Sequence, residues 1–538
     1  MTPWTDHVLS VVDGFLETVV VVDDRAFIDR EGLREPETTE THRGRLAGRG
    51  VAELRPPSDP DEHDLDGKAV TDAFAKDGLV CTLLSPKKGE EVREKFLRVA
   101  RRADLVVLDW VLDRDEGRVA LDLIGRILTD DDQPTRRRLR TIAVYTGQKD
   151  LRGIAAEIRG VLTGVYSDCE LLEEDDGLTM TKGPVRAAVF AKEHVELPTE
   201  LEVRRVAFAD LPTRLRVEFA SLASGLVTTV ALAALAALRE DTHRILRMLG
   251  PSLDCAFLGH RVALPVPADA QSHAVALVLA EFRAVVEDND VGQHVAAAVI
   301  DLWLRDPDRR PKKFGTLIDE NKALTQEQVE SLVRVGLGTP EGCETVASGR
   351  VSKTHLSKKV KPEATKVFAA SIDDAVNSDN EFGNRMTTRT FYSKPHRTLH
   401  LGVVVRTGEV YRVCVQPDCD SVRLIQRRSF PFLSLTEVEA GEPSHFVVRG
   451  DGPKQYVRLR LGTNPRNITA VNFESFTDGV VRAVEHDGRY VFTDAEGEGH
   501  LWVGELKPDF AQKVAVDLAR EFSQVGVDEP ELFRLSRG

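Results

Sequence analysis

The sequence predicts a multidomain chain: an N-terminal α/β doubly wound domain on a five-stranded parallel sheet, a mainly helical middle domain, and a β-rich C-terminal barrel or sandwich with a terminal helix. Three observations carry that prediction. Residues 17–192 alternate β-branched runs with helix-periodic segments; residues 199–386 keep helical spacing; from residue 387 short alternating segments are parted by Gly and Asp turns. The expected domains are therefore 1–198, with an insertion at about 30–67, then 199–386 and 387–538. A chain of 538 residues exceeds one ordinary core, and roughly 150 residues per domain suggests three or four units.

Taken in order, the first strand is the valine run of "ETVVVVDDRAFIDR", residues 17–30, which suits a strand buried on both faces and ends on the adjacent Asp23 and Asp24. Two neighbouring carboxylates repel unless a positive charge sits between them. The polar stretch 30–67 has little to bury and reads as an exposed loop or lid. "KAVTDAFAKDG" suits a helix closed by Gly78, "LVCTLLSP" a strand, "EEVREKFLRVARR" a helix and "ADLVVLDW" the next strand. "GRVALDLIGRIL", "LRTIAVYTG", "KDLRGIAAEIRGVL" and "GPVRAAVFAK" then continue as helix, strand, helix and last strand. Right-handed crossovers would make the sheet parallel, and ligands of such sheets bind beyond the carboxyl ends of the strands. Those ends carry Asp23, Asp24, Asp109, Thr146 and Lys192. Carboxylates hold Mg²⁺, while Thr and Lys donate to phosphoryl oxygens, so the set has the ingredients of a divalent-metal and phosphoryl site.

The order of these fragments resembles the receiver domain of bacterial two-component response regulators. "VVVVDD", "LVVLDWVLDRDEG", "IAVYTG" and "AAVFAK" carry the resemblance, over about a third of the chain. It implies Asp23 and Asp24 as the acidic metal pair, Asp109 as the phosphoacceptor and a metal ligand, Thr146 as the switch hydroxyl, and Lys192 as the phosphoryl-contacting lysine. Gly117 matches the glycine after the acceptor loop. Mg²⁺ as cofactor, a sensor histidine kinase as donor and a downstream effector as reader follow from the same resemblance. Two insertions depart from the family pattern: about 40 residues after the paired aspartates, and "SDCELLEEDDGLTMTKG" before the last strand, which would widen the sheet edge. The family lysine is usually followed by proline, here delayed to Pro198. Large receiver proteins of this kind are similar to those of phage-defence systems, where a receiver controls an effector or buffers phosphate. A pseudo-receiver scaffold and a nucleic-acid-binding regulator remain alternative readings.

Composition narrows the rest. A net charge of −15 and a pI near 5.5 argue for a soluble protein and against general polyanion binding. Six scattered cysteines, at 81, 169, 255, 343, 414 and 419, do not form a disulfide framework and fit a cytoplasmic protein. The N-terminus is acidic where a secretory signal is basic. Residues 219–238 are uncharged but alanine-rich, and read as part of one long helix over 211–249, buried or pairing two copies, and not as a membrane span.

"TQEQVESLVRVGLG" resembles half of a helix-turn-helix without a basic recognition helix, so no specific nucleic acid is expected. His260 reads as an ordinary helix or loop histidine. His396 and His400 with Cys414 and Cys419 have the residue types of a zinc site, with core packing of Cys414 as the competing account. No GxxxxGK[ST], HExxH or GxSxG pattern is present.

Overall fold

The computed structural model describes residues 2–24, 66–85, 90–112, 115–133, 137–308, 324–342, 360–393, 396–450, 455–462 and 464–523. They divide into two compact units, Met1–Asp306 and Pro307–Gly538. The segment expected as a helical middle domain is thus shared between the two.

In the first unit the strands are β1 (Thr18–Val22), β2 (Val80–Leu84), β3 (Leu105–Leu108), β4 (Arg140–Thr146), β5 (Leu171–Glu173), β6 (Thr179–Lys182), β7 (Val185–Lys192) and β8 (Arg205–Val206). They form an eight-stranded sheet in the order β2-β1-β3-β4-β7-β6-β5, with β8 beside β7. The five strands from β2 to β7 are parallel, as expected. The second insertion adds the antiparallel hairpin β5–β6, so the sheet is wider than five strands and mixed at that edge. Arg186 and Arg204 pin the hairpin through Glu174, and Arg204 also reaches Asp176. The first insertion falls outside the described residues except for Asp66 and Gly67, the N-cap and first residue of the next helix.

The helices are α1 (Pro3–Phe15), α2 (Gly67–Lys76), α3 (Glu90–Ala100), α4 (Arg118–Asp131), α5 (Leu151–Thr163), α6 (Leu211–Ala223), α7 (Leu226–Glu240), α8 (Thr242–Met248), α9 (Asp254–Ala263), α10 (Ala270–Asp288) and α11 (Ala297–Arg305). The valine run explains itself in the layering. Val20 and Val22 pack with Val106, Leu108, Ile142 and Val144 against α3, α4 and α5. Val19 and Val21 pack on the opposite face with Val107, Tyr145 and Phe190 against α1, α2, α6 and α7. Period-two alternation with both faces covered is what a central parallel strand requires.

The single helix expected over 211–249 is instead three. Ser224 and Gly225 take non-helical conformations between α6 and α7, and a second break falls at Asp241. Among the described residues no helix is long and apolar enough to cross a membrane.

In the second unit, α12 (Gln326–Val335) is opened by a capping box in which Thr325 and Gln328 each accept the other's backbone N–H. Most of the basic run at 305–315 and the first half of that at 353–366 lie outside the described residues. After α13 (Ile372–Thr387) come β9 (Val403–Thr407), β10 (Val410–Cys414), β11 (Arg428–Val438), β12 (Phe446–Arg449), β13 (Tyr456–Leu461), β14 (Ile468–Phe473), β15 (Val484–His486), β16 (Arg489–Thr493) and β17 (Gly499–Glu505). These make one nine-stranded antiparallel sheet, with β14 pairing the first half of β11 and β13 its second half. The strand path runs from β12 to β15 without closing among the described residues. The barrel or sandwich expectation thus becomes a single sheet with a core on each side. The terminal helix α14 (Pro508–Ser523) sets Ala511, Val514 and Leu518 into one of those cores, the i, i+3, i+7 spacing of an amphipathic helix.

Candidate functional site

The site grows out of the ends of four parallel strands in the first unit. The β1–β2 and β1–β3 ladders run one residue past the strands: Asp23 N–H donates to Leu84 O at 3.1 Å, and Asp109 N–H to Val22 O at 2.8 Å. Backbone pairing therefore fixes where both carboxylates stand. Oxygens of Asp23, Asp24 and Asp109 lie within 4.8 Å of one another, in a group able to hold a metal ion. Lys192, the last residue of β7, brings its buried Nζ to 2.9 Å from Asp23 Oδ2 and 3.3 Å from Asp109 Oδ2. This ammonium places a positive charge against Asp23 of the opening pair and against Asp109.

The three carboxylates gather beside the Lys192 ammonium, which contacts Asp23 and Asp109. Burial pushes the Asp109 carboxyl up to about 6, and the nearby Asp23 and Asp24 add to the rise against the pull of Lys192. Burial also disfavours the Lys192 ammonium, but Asp109 and Asp23 outweigh it and hold its pKa above the usual range. Asp109 Oδ1 is buried with no hydrogen-bond partner among the described residues. An orphaned carboxylate oxygen in an acidic cluster fits a hard divalent cation, whose oxygen ligands are of this kind.

Thr146 ends β4 at the same sheet edge, fully buried, its hydroxyl accepting the Gln148 N–H at 3.1 Å. Tyr145 packs on the other face, as alternation requires, and its OH donates to Val206 O at 2.9 Å. The Lys192 Nζ lies 5.9 Å from the Tyr145 ring centroid. The sequence reading missed the Val206 partner of Tyr145, because that link runs to β8, a two-residue strand with no sequence signal of its own.

Residues 15–197 match the family model of the response receiver domain. The chain carries a receiver domain. No curated protein and no solved structure matches the chain. The receiver occupies about a third of the sequence, and the strand-end residues above lie within the matched span.

One glycine in the receiver is fixed by its surroundings. Gly117 caps α4 with φ +92°, and a Cβ built there falls into the Trp110 indole, next to Asp109. Gly117→Ala is expected to lower stability by about 1–3 kcal/mol through left-handed strain and displacement of the indole. Thermal melting followed by tryptophan fluorescence checks this, and an unchanged melt and spectrum would contradict it.

The residues of the zinc alternative do not come together as a metal-ligating group among the described residues. Cys414 packs in a core with Phe430 and Phe432, where burial pushes its thiol up to about 12, and Cys419 and His396 are exposed. His400 Nδ1 lies 3.5 Å from Asp418 and its Nε2 3.7 Å from Glu505. His260 is exposed on α9 and meets His273 at 2.8 Å. A second acidic group, Asp494, Glu498 and His500, is a built turn: Asp494 accepts the Glu496 and Glu498 N–H groups and His500 Nε2.

His400 supplies a pH prediction. Burial opposes its protonation, yet Asp418 and Glu505 raise its pKa to about 9. A folded-state pKa above the unfolded value contributes stability below about pH 6.5 that is lost as pH rises through about 9. Once the water around exposed Asp418 is allowed for, the loss is on the order of 1–2 kcal/mol. Melts of the full chain between about pH 7 and pH 10 should show it, and His400→Gln should flatten the slope. An equal slope in the variant would contradict the assignment.

Proposed function

We propose that the receiver is a phosphoacceptor of a two-component relay, taking a phosphoryl group from a sensor histidine kinase onto Asp109 and signalling to a downstream effector. The observation that supports it best is the buried Lys192 bridging Asp23 and Asp109 while one Asp109 oxygen has no partner. An Asp109 carboxylate oxygen would form the new P–O bond as the P–N bond of the donor phosphohistidine breaks, its electron pair returning to the imidazole. Asp23, Asp24 and Asp109 would hold Mg²⁺, which when bound neutralises charge on the phosphoryl oxygens. Lys192 would exchange its 3.3 Å contact with Asp109 for a phosphoryl oxygen, and Thr146 would release the Gln148 N–H and turn its hydroxyl toward the new group.

Incubating the full chain with a small phosphodonor and Mg²⁺, and reading the intact mass, tests the proposal. One phosphoryl group per chain is expected, abolished by chelation of the metal, with a Mg²⁺-dependent response to beryllium fluoride. No adduct and no such response from folded protein would sink it and leave the scaffold reading.

A further inference from the structure

We propose that Arg397 is the anchor of a carboxylate-binding site in the second unit, set in a box of three aromatic rings. The proposal is independent of the receiver and its phosphoryl chemistry. Backbone pairing assembles the box. Arg397 O accepts the Ala483 N–H and Leu399 N–H donates to Val481 O, both at 2.9 Å, which fixes Arg397 alongside residues 481–483. Arg389 N–H donates to Glu505 O at 2.8 Å, which brings the segment carrying Phe391 to the end of β17. Tyr490 comes from β16 and Trp502 from β17. The Phe391 and Tyr490 rings stand on Trp502 at 74° and 80°, their centroids 5.6 and 6.1 Å from it. The Arg397 guanidinium carbon lies 3.7 Å from the Phe391 centroid, 4.6 Å from that of Trp502 and 5.1 Å from that of Tyr490.

Aromatic rings attract the charge of a guanidinium but supply no acceptors to the N–H groups around its edge. Arg397 is 8% exposed, and its Nε and Nη1 are buried with no hydrogen-bond partner among the described residues. Trp502 Nε1 is likewise buried without one. The nearby carboxylate is already engaged: Arg389, 4.9 Å from the same Phe391 ring, holds one Glu505 oxygen at 2.7 Å, and His400 stands 3.7 Å from the other. Burial lowers the Arg397 pKa below its usual range, and the charge on Glu505 does not restore it. A buried cation without a counter-ion is costly, and a guanidinium does not shed its proton. Nη2 is not among the enclosed atoms, and the three rings are only half-buried, so the edge of the guanidinium can be reached from solvent.

The ligand class follows from shape and charge. With Phe391 at stacking distance from the guanidinium, an acceptor reaches the N–H groups along the guanidinium edge, where a planar carboxylate pairs two oxygens with two donors. A carboxylate also matches the single positive charge that Glu505 leaves unmet. A phosphate monoester carries about −1.5 to −2 and would bring excess negative charge into a desolvated box. The carboxylate belongs either to a small organic acid or to the end of a peptide chain, and the chemistry at Arg397 is the same for both.

Titration of the full chain at constant ionic strength, read by tryptophan fluorescence and by calorimetry, tests this. Sodium acetate is the probe for a small acid, and a short peptide with a free C-terminal carboxylate, run beside its C-terminal amide, is the probe for a chain end. Saturable binding with Kd on the order of 1–10 mM is expected, the strength of one charged pair with two hydrogen bonds. Acetate binding as tightly as the peptide assigns the site to small acids; tighter binding of the free-acid peptide, lost in the amide, assigns it to chain ends. Arg397→Gln should weaken binding at least about tenfold with the far-ultraviolet dichroism unchanged, and Arg397→Lys, which keeps the charge but not the fork, should fall between. No saturable response of the parent to either carboxylate overturns the proposal, and so does inorganic phosphate that binds as tightly as they do. Both of these parent titrations stand whether or not the variants fold. A folded Arg397→Gln protein that binds acetate or the peptide as the parent does would equally overturn it.

Discussion

Asp109→Asn is expected to abolish phosphoryl labelling and, at the same time, to raise the melting temperature of the metal-free protein. Both effects come from one geometry. Asp109 is 6% exposed, shares the Lys192 ammonium with Asp23, and has Asp24 in the same cluster. Its amide counterpart keeps the shape, removes one buried negative charge and leaves Lys192 paired with Asp23 at 2.9 Å. A carboxyl whose folded pKa lies near 6, above the ordinary value, destabilises the fold increasingly from about pH 4 to pH 6 and fully above that. The gain should therefore be about 1–3 kcal/mol near pH 7.5 and fade toward pH 4. Melts in chelator at the two pH values check the sign. A loss of stability at pH 7.5 would show that the carboxylates do not burden the fold, and retained labelling would place the acceptor elsewhere.

Lys192→Met should act in the opposite direction on stability. It removes a cation that touches both Asp23 and Asp109 and breaks a buried ion pair, a change that typically costs about 3–5 kcal/mol. Labelling should fall at least about a hundredfold, since the ammonium is the side chain placed to meet charge on the transferring group. The double variant with Asp109→Asn isolates the coupling: with one carboxylate already neutral, loss of the ammonium should cost less than in the parent. Additive losses in chemical denaturation would mean that the pair is not coupled. Full labelling of Lys192→Met would remove Lys192 from the chemistry.

The strand ends were legible in the sequence because a parallel sheet turns β-branched runs into a fixed row of terminal residues. The valine run, "LVVLDW", "IAVYTG" and "AAVFAK" placed Asp23, Asp109, Thr146 and Lys192 along one edge, and the ladders do so. The hairpin β5–β6 was foreseen only as a widening. Its short strands carry little periodicity, and of the two arginines that hold it Arg186 lies on the next strand while Arg204 comes about 20 residues after the hairpin. Helix α1 escaped notice although Thr2, Pro3 and the spacing of Trp4, Val8, Val11 and Val12 announce a capped amphipathic helix. The long helix over 211–249 misled because alanine-rich sequence keeps helical spacing through Ser224 and Gly225, where the backbone turns extended. The four residues of the zinc alternative are close in sequence but lie at different depths of the second unit, with Cys414 in its core and Cys419 at its surface, a difference that spacing alone does not reveal.

The layering of the first unit bears on how the chain is made. One face of the receiver sheet, with Val19, Val21, Leu105, Val107 and Phe190, is roofed by α1, α6 and α7, and α6 and α7 lie beyond the span that the family match covers. The receiver as defined by kinship ends at 197, but the body that can shed water from both sides of its sheet runs at least to Leu232. On the ribosome β7 is complete some 40 residues before that roof is finished, a delay of about 2–8 seconds at ordinary elongation rates. During that interval a nascent chain presents a row of valines to whatever lies nearby, and a fragment cut at the family boundary would present it permanently.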